Sequence, residues 1–297
     1  NPYNYLIVNR GDIGQNTNAN FDWFKSFDSD GFTVAYSSSN GTTSNNWNGN
    51  YNYVSWNWLA GGSASSNSNG SITSSVSANT EAGFSIVTYT GNATAGATVG
   101  HGLSSTPEMY IVKSRSLSTG WVTYHKDAAA SPEDGYLILN GTDAFYDTVV
   151  WNDTAPTSSV FSLGGSGYSS NNSGATYVAY CFHSVDGYSK VGSYLGNGSS
   201  DGVFIYTGFR PAWIMIKRID STGGWSILDD VRASNNNPVD RRVQANDTDT
   251  EESAGVNIDF NSNGFKLRNS ASSMNNSSGS YIYLAFAEQP FKYSNAR

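Results

Sequence analysis

Apolar and polar positions alternate along short runs of this chain, and Gly, Asn or Pro breaks each run before a helical period can develop. The runs "GFSIVTYTG" (83–91), "EMYIVKSRS" (108–116), "GWVTYHK" (120–126), "GYLILNG" (135–141), "SSVFSLGG" (158–165) and "TYVAYCFHS" (176–184) are rich in β-branched and aromatic residues. Such runs predict strands. Asn-Gly pairs at 40, 48, 69, 140, 197 and 263 predict tight turns between them. The expected class is therefore all-β. Short strands at this spacing over about a hundred residues predict sandwich or jelly-roll modules.

The pattern is written twice. "NNSGATYVAYCF" from Asn171 returns as "NNSSGSYIYLAF" from Asn275, an offset of 104 residues. The same offset pairs Pro107 with Pro211, Lys113 with Lys217, Gly120 with Gly224, Trp121 with Trp225, Phe161 with Phe265 and Tyr177 with Tyr281, with no gap between 107 and 182. A third, partial copy precedes them: "FDSDGFTV" (27–34) matches "FNSNGFKL" (260–267), and "YNYVSWNWLAGG" (51–62) matches the opening motif. The expected organisation is the C-terminal half of a module at 1–60, a Gly/Ser/Asn-rich linker at 61–82, and two full modules at 83–187 and 188–297. In the repeated strand, side chains alternate between faces. Val178, Tyr180 and Phe182 match Ile282, Leu284 and Phe286, and Val54, Trp56 and Trp58 in the partial copy, so this face is expected to be the core of each module. The other face, with Ala179, Cys181 and His183, is expected to be the less demanding one. An apolar face left open in the partial copy needs cover from upstream residues, the second module or a neighbouring subunit.

Long stretches carry a resemblance. "AGFSIVTYTGNATAGATVGHGL", "YVAYCFHSVDGYSKVGSYLGNGSSDG", "VFIYTGFRPAWIMIKR" and "NGFKLRNSASSMNNSSGSYIYLAFAEQPFKY" resemble a repeat family, catalogued as a domain of unknown function, that is common in predicted tail-fibre and other virion proteins of marine bacteriophages. The resemblance implies a virion setting and supplies no catalytic residues.

Composition changes the picture by exclusion. Charged residues make up 13% and the net charge is −8, so no basic stripe exists to replace phosphate counterions, and nucleic acid is not an expected partner. One cysteine excludes an intrachain disulfide and a Cys-rich zinc site, and no apolar run is long enough to insert in a membrane. Cys181 and His183 lie two apart on one strand face, about 6.5–7 Å, beyond the reach a nucleophile–base pair needs. Their counterparts are Ala285 and Ala287, so a packing thiol is the expected role. No catalytic residue or cofactor is assigned. Asp28, Asp30, Asp247 and Asp249 gather oxygens suited to Ca²⁺, with solvated turns as the competing reading. Glu133/Asp134 and Asp229/Asp230 are the acid pairs a glycosidase would draw on, and neither recurs in its sister module. Trp47, Tyr146, Trp151 and Tyr168, all in loops, are the expected contact aromatics for a partner or receptor.

The expected function is a non-enzymatic structural and adhesive protein of a virion: a tail fibre, knob or decoration. Its partners would be copies of itself, other virion subunits and a host surface glycan. The alternatives are a subunit of an extracellular microbial filament or surface layer, and a polysaccharide depolymerase.

Overall fold

A computed structural model describes residues 6–9, 24–34, 52–167, 169–253 and 255–289. Strands β1 (Phe24–Phe27) and β2 (Phe32–Val34) form a hairpin, followed by β3 (Ser65–Asn67) and β4 (Ser74–Asn79). The first full repeat contributes β5 (Phe84–Thr90), β6 (Ala97–Gly100), β7 (Met109–Ser114), β8 (Val122–His125), β9 (Gly135–Ile138), β10 (Tyr146–Asp147), β11 (Val160–Leu163) and β12 (Thr176–Phe182). The second contributes β13 (Ser189–Leu195), β14 (Phe204–Tyr206), β15 (Pro211–Arg218), β16 (Ser226–Asp229), β17 (Arg242–Gln244), β18 (Ile258–Asn261), β19 (Gly264–Leu267) and β20 (Ser280–Ala287). The fold is all-β, antiparallel in every strand pair, and among the described residues its only helical element is a single 3₁₀ turn.

Both repeats place their strands alike. The larger sheet of the first runs β10-β9-β8-β7-β12-β5-β4-β3, and that of the second runs β13-β20-β15-β16-β17. In each, the strand of the "NNS" motif sits between the strand that opens the repeat and the strand that carries Lys113 or Lys217. A smaller sheet, β11-β6 in one and β14-β19-β18 in the other, covers one face of the larger one. The β1–β2 hairpin pairs Phe27 with Phe32 as β18–β19 pairs Phe260 with Phe265.

The loops that shape these sandwiches are held by the same side chains twice. Asn171 and Asn275 are fully buried. Asn171 donates to the carbonyls of Thr94 and Gly164 and accepts from the amide of Asn92. Asn275 donates to Ser199 and Asn269 and accepts from Asn197. A Cβ at Gly91 or Gly196 would lie 2.5 or 2.3 Å from a carbonyl of this loop, so only glycine lets the strand end approach it. This is why "NNS" and "GN" recur: they are a satisfied polar clamp.

Two expectations are overturned. The stretch 61–82 is not a linker: β3 and β4 extend the eight-stranded sheet, with Val76 buried and the hydroxyls of Ser74 and Ser77 bound to the carbonyls of Gly100 and Gly62. The second concerns which face is which. The interior of the first sandwich is lined by Tyr177, Ala179 and Cys181 together with Tyr110, Trp151 and Phe161. Its counterpart is lined by Tyr281, Tyr283 and Ala285 with Phe265 and Ile214. Tyr180 and Phe182 face away from the sandwich and meet Ile282, Leu284 and Phe286 in one apolar cluster that joins the repeats. Both faces of the strand are buried, which alternation alone does not distinguish.

The partial copy enters that same cluster. Phe182 lies 6.3 Å from Phe286, and Trp58 lies 5.5 Å from Phe286 and from Trp213. Leu6, Val8 and Trp56 also pack there, and Arg232 sits over the Trp56 ring at 5.5 Å. Residues 52–60 form no strand, and Val54 is exposed rather than in the core. The cover for the open face of the partial copy comes, in part, from the two full repeats.

Candidate functional site

The residues expected to carry chemistry are taken up by structure. Cys181 is fully buried in the first sandwich, and burial pushes its thiol up to about 12. A thiol held protonated is a poor nucleophile. In the folded protein at pH 8 Cys181 is expected to resist a disulfide reagent, and to react stoichiometrically once denaturant is added. Rapid reaction without denaturant would contradict this placement. His183 is half-buried just beyond the end of the strand, with Nδ1 at 2.9 Å from the Ser184 carbonyl.

The acid candidates are spent locally. Asp28 caps its own hairpin, accepting from Ser26 and Thr33 hydroxyls at 2.7 and 2.6 Å, with Asp30 exposed in the turn. Those bonds hold the Asp28 carboxyl below the usual range. Asp247 accepts from the amides of Thr248 and Asp249 in an exposed turn. Among the described residues no group of three or more His, Cys, Asp or Glu side chains converges in the way a metal ion needs. Asp229 pairs with Arg232 at 2.6 Å and Asp230 with Arg210 at 2.9 Å. Glu133 and Asp134 form a half-buried 3₁₀ turn ahead of β9.

Of the contact aromatics, Tyr146 is exposed and leans edge-on against Tyr136. Trp151 is a correction. It is fully buried, 4.8 Å from Tyr110, so the loop that carries it plugs the sandwich interior instead of presenting a surface. Trp47 and Tyr168 lie outside the described residues. The exposed aromatic rings of the described surface include Tyr146, Phe204 and Tyr206, the last two on the edge strand of the smaller sheet.

The most elaborate site is the junction between repeats. Trp225 buries its ring in the shared cluster and donates its indole N–H to the Ile138 carbonyl of the preceding repeat at 2.9 Å. Its counterpart Trp121 donates to the Ile7 carbonyl of the partial copy at 3.3 Å. The amides of the same tryptophans bind the side-chain oxygens of Asn140 and Asn246. Lys217, though buried, donates to the carbonyls of Gly223 and Thr142, and burial lowers its pKa to about 8. His125 faces the Tyr283 carbonyl across the junction, and burial lowers its pKa to about 4. An apolar cavity of about 670 Å³ remains beside Leu6, Val8, Trp56, Trp58, Trp213 and Val243. "LIVN" at 6–9 therefore stands where "LILN" stands at 137–140. That match, at an offset different from 104, was the signal in the sequence that this segment belongs with the partial copy.

Among the described residues no helix is long and apolar enough to cross a membrane. Residues 2–290 match the family described as Domain of unknown function (DUF7483). No curated protein and no solved structure matches.

Proposed function

The chain belongs to this family of unknown function over nearly its whole length, and from that premise we propose that it is a non-enzymatic structural and adhesive protein of a bacteriophage virion. The setting is a tail fibre, knob or decoration, and the localisation is the particle itself. The observation that carries this reading is the shared apolar core, which ties the repeats into one body while buried lysine, histidine and asparagine side chains hold loops and junctions. A block of this kind suits a load-bearing appendage. Its outer face offers polar, mostly uncharged loops with exposed rings at Tyr146 and Tyr206, a chemistry matched to stacking on a host surface glycan. No cofactor is invoked.

Antibodies raised against the chain should label an appendage of purified phage particles, and the protein should co-sediment with intact particles through a density gradient. Recovery in cell-surface filaments, with particles unlabelled, would favour the filament-subunit reading instead. Release of reducing ends from host polysaccharide by the purified chain would favour the depolymerase.

A further inference from the structure

The two sandwiches differ at one end, where the chain leaves the smaller sheet for the larger one. Val99 pairs with Phe161 as Ile205 pairs with Phe265. Eight positions separate Val99 from Pro107, but six separate Ile205 from Pro211, so the first repeat has two extra residues in its Ser104–Thr106 loop. Across from it, residues 154–157 run as an open loop, where the second repeat forms β18 and pairs it with β19. One buried imidazole ties these two loops together. His101 accepts the Leu103 amide on Nδ1 at 3.2 Å, and its Nε2 lies 3.2 Å from the Thr157 carbonyl. Between the loops lies a cleft of about 610 Å³, a size typical of small-molecule sites.

Tyr124 lines the cleft, with its ring stacked on Tyr110 at 4.6 Å and only 4% of the residue exposed. Its hydroxyl makes no hydrogen bond among the described residues. A phenol this deeply placed normally finds a partner for its hydroxyl. Leu228 holds the same place in the second repeat, since it pairs with Ile214 as Tyr124 pairs with Tyr110. Beside Tyr124, Glu108 and Lys126 form an ion pair at 2.6 Å. The other carboxylate oxygen of Glu108 accepts from the amide and the hydroxyl of Ser184, which fixes it. The second repeat has Ala212 and Asp230 at these two positions, and Arg210 takes up Asp230 at 2.9 Å. The three polar side chains of the cleft thus have no like counterpart in the sister sandwich.

We propose that this cleft binds one neutral sugar residue, whose adjacent hydroxyls engage the Tyr124 hydroxyl and the Glu108–Lys126 pair. The two charges cancel within the pair, so neither an anionic nor a cationic ligand gains net attraction there. What the cleft offers instead is mixed donor and acceptor capacity. Lys126 has further ammonium protons, Glu108 has further lone pairs, and Ser104, Ser105, Thr106 and Ser158 bring hydroxyls. A polyol matches such a set, because each of its hydroxyls both donates and accepts. Ala155 and Pro156 add an apolar edge suited to the C–H face of a pyranose ring. The assignment deepens the adhesive reading and rests on it. To the exposed rings it adds a site that selects a sugar by its hydroxyls.

The test titrates the full chain with the methyl glycosides of glucose, galactose and mannose, and with glucuronic acid and glucosamine as charged comparators. Saturation-transfer NMR reads binding, and the melting midpoint of each variant reads the fold. Tyr124→Phe keeps the stacked ring and removes only the hydroxyl, and Lys126→Met keeps the stem and removes the ammonium. At least one neutral glycoside should bind with a dissociation constant of about a millimolar, and each variant should weaken it about tenfold, one hydrogen bond's worth, with Tyr124→Phe melting as the parent does. Three results overturn the proposal: no binding by any neutral glycoside, binding by a charged comparator alone, or glycoside binding that Tyr124→Phe leaves unchanged. Adsorption of purified particles to host cells, blocked by antibodies against the chain, checks the adhesive reading separately. Particles that adsorb through the chain while no glycoside enters the cleft would sink the site and leave the adhesin standing.

Discussion

Trp225→Ala should lower the stability of the chain by about 3–5 kcal/mol, the range for removing a large ring from a packed core. The loss should appear in both repeats at once. Trp225 is almost wholly buried in the cluster that also holds Phe84, Met109 and Phe182 of the first repeat, and its indole binds the Ile138 carbonyl there. Trp225→Phe keeps much of the apolar bulk and loses the hydrogen bond, so it should cost less, about 1–2 kcal/mol. Denaturant unfolding followed by far-ultraviolet circular dichroism and by tryptophan emission reads both effects. Coincident transitions, shifted together, are expected. A biphasic curve in which only one phase moves would show that the shared core does not couple the repeats.

Acid should weaken the fold, and one buried imidazole should account for a readable part of the loss. His125 is neutral in the folded chain, because burial lowers its pKa to about 4 from an ordinary 6.5. Its Nδ1 accepts from the Asp127 amide and its Nε2 faces the Tyr283 carbonyl, an arrangement complete without a second proton. Between these two values the unfolded chain binds the proton and the folded chain does not. Stability is therefore full above pH 6.5 and falls as the pH drops toward 4, by up to about 3 kcal/mol from this group. His101, also lowered by burial, adds loss of the same sign. Paired carboxylates such as Glu108 lose stability in acid as well. The informative quantity is thus the difference in slope between the parent and His125→Asn, measured as unfolding free energy at several pH values. Equal slopes would mean that His125 is not the neutral junction group described here.

The strands were legible because period-two alternation survives in every run, and the repeat was legible because its turn and clamp residues, Asn171, Gly91 and their partners, have no substitutes. What alternation could not decide was which face of a two-sided strand looks inward. Tyr180 and Phe182 carry more apolar bulk than Ala179 and Cys181, and bulk was read as core. In the fold the small residues sit inside the sandwich because Tyr110, Trp151 and Phe161 from neighbouring segments fill the space in front of them. Trp151 was obscured for the same reason: a loop between polar residues is a surface loop unless the sandwich beneath it needs a plug. The stretch 61–82 looked like a linker because its serines are polar, yet Ser74 and Ser77 are buried and satisfied by backbone carbonyls.

The shared core also has a history within each synthesis of the chain. Leu6 and Phe286 pack in one cluster, so the last strand must arrive before the first described segment has all its neighbours. Contacts this far apart in sequence make folding slow, since loop closure comes before the reward of packing. The first sandwich can form once β12 has left the ribosome. From then until β20 emerges, about a hundred residues later, Phe84, Met109, Ile111 and Phe182 form an uncovered apolar sheet face. That interval, and that face, is where a nascent chain of this protein is most exposed to aggregation and to capture by a chaperone.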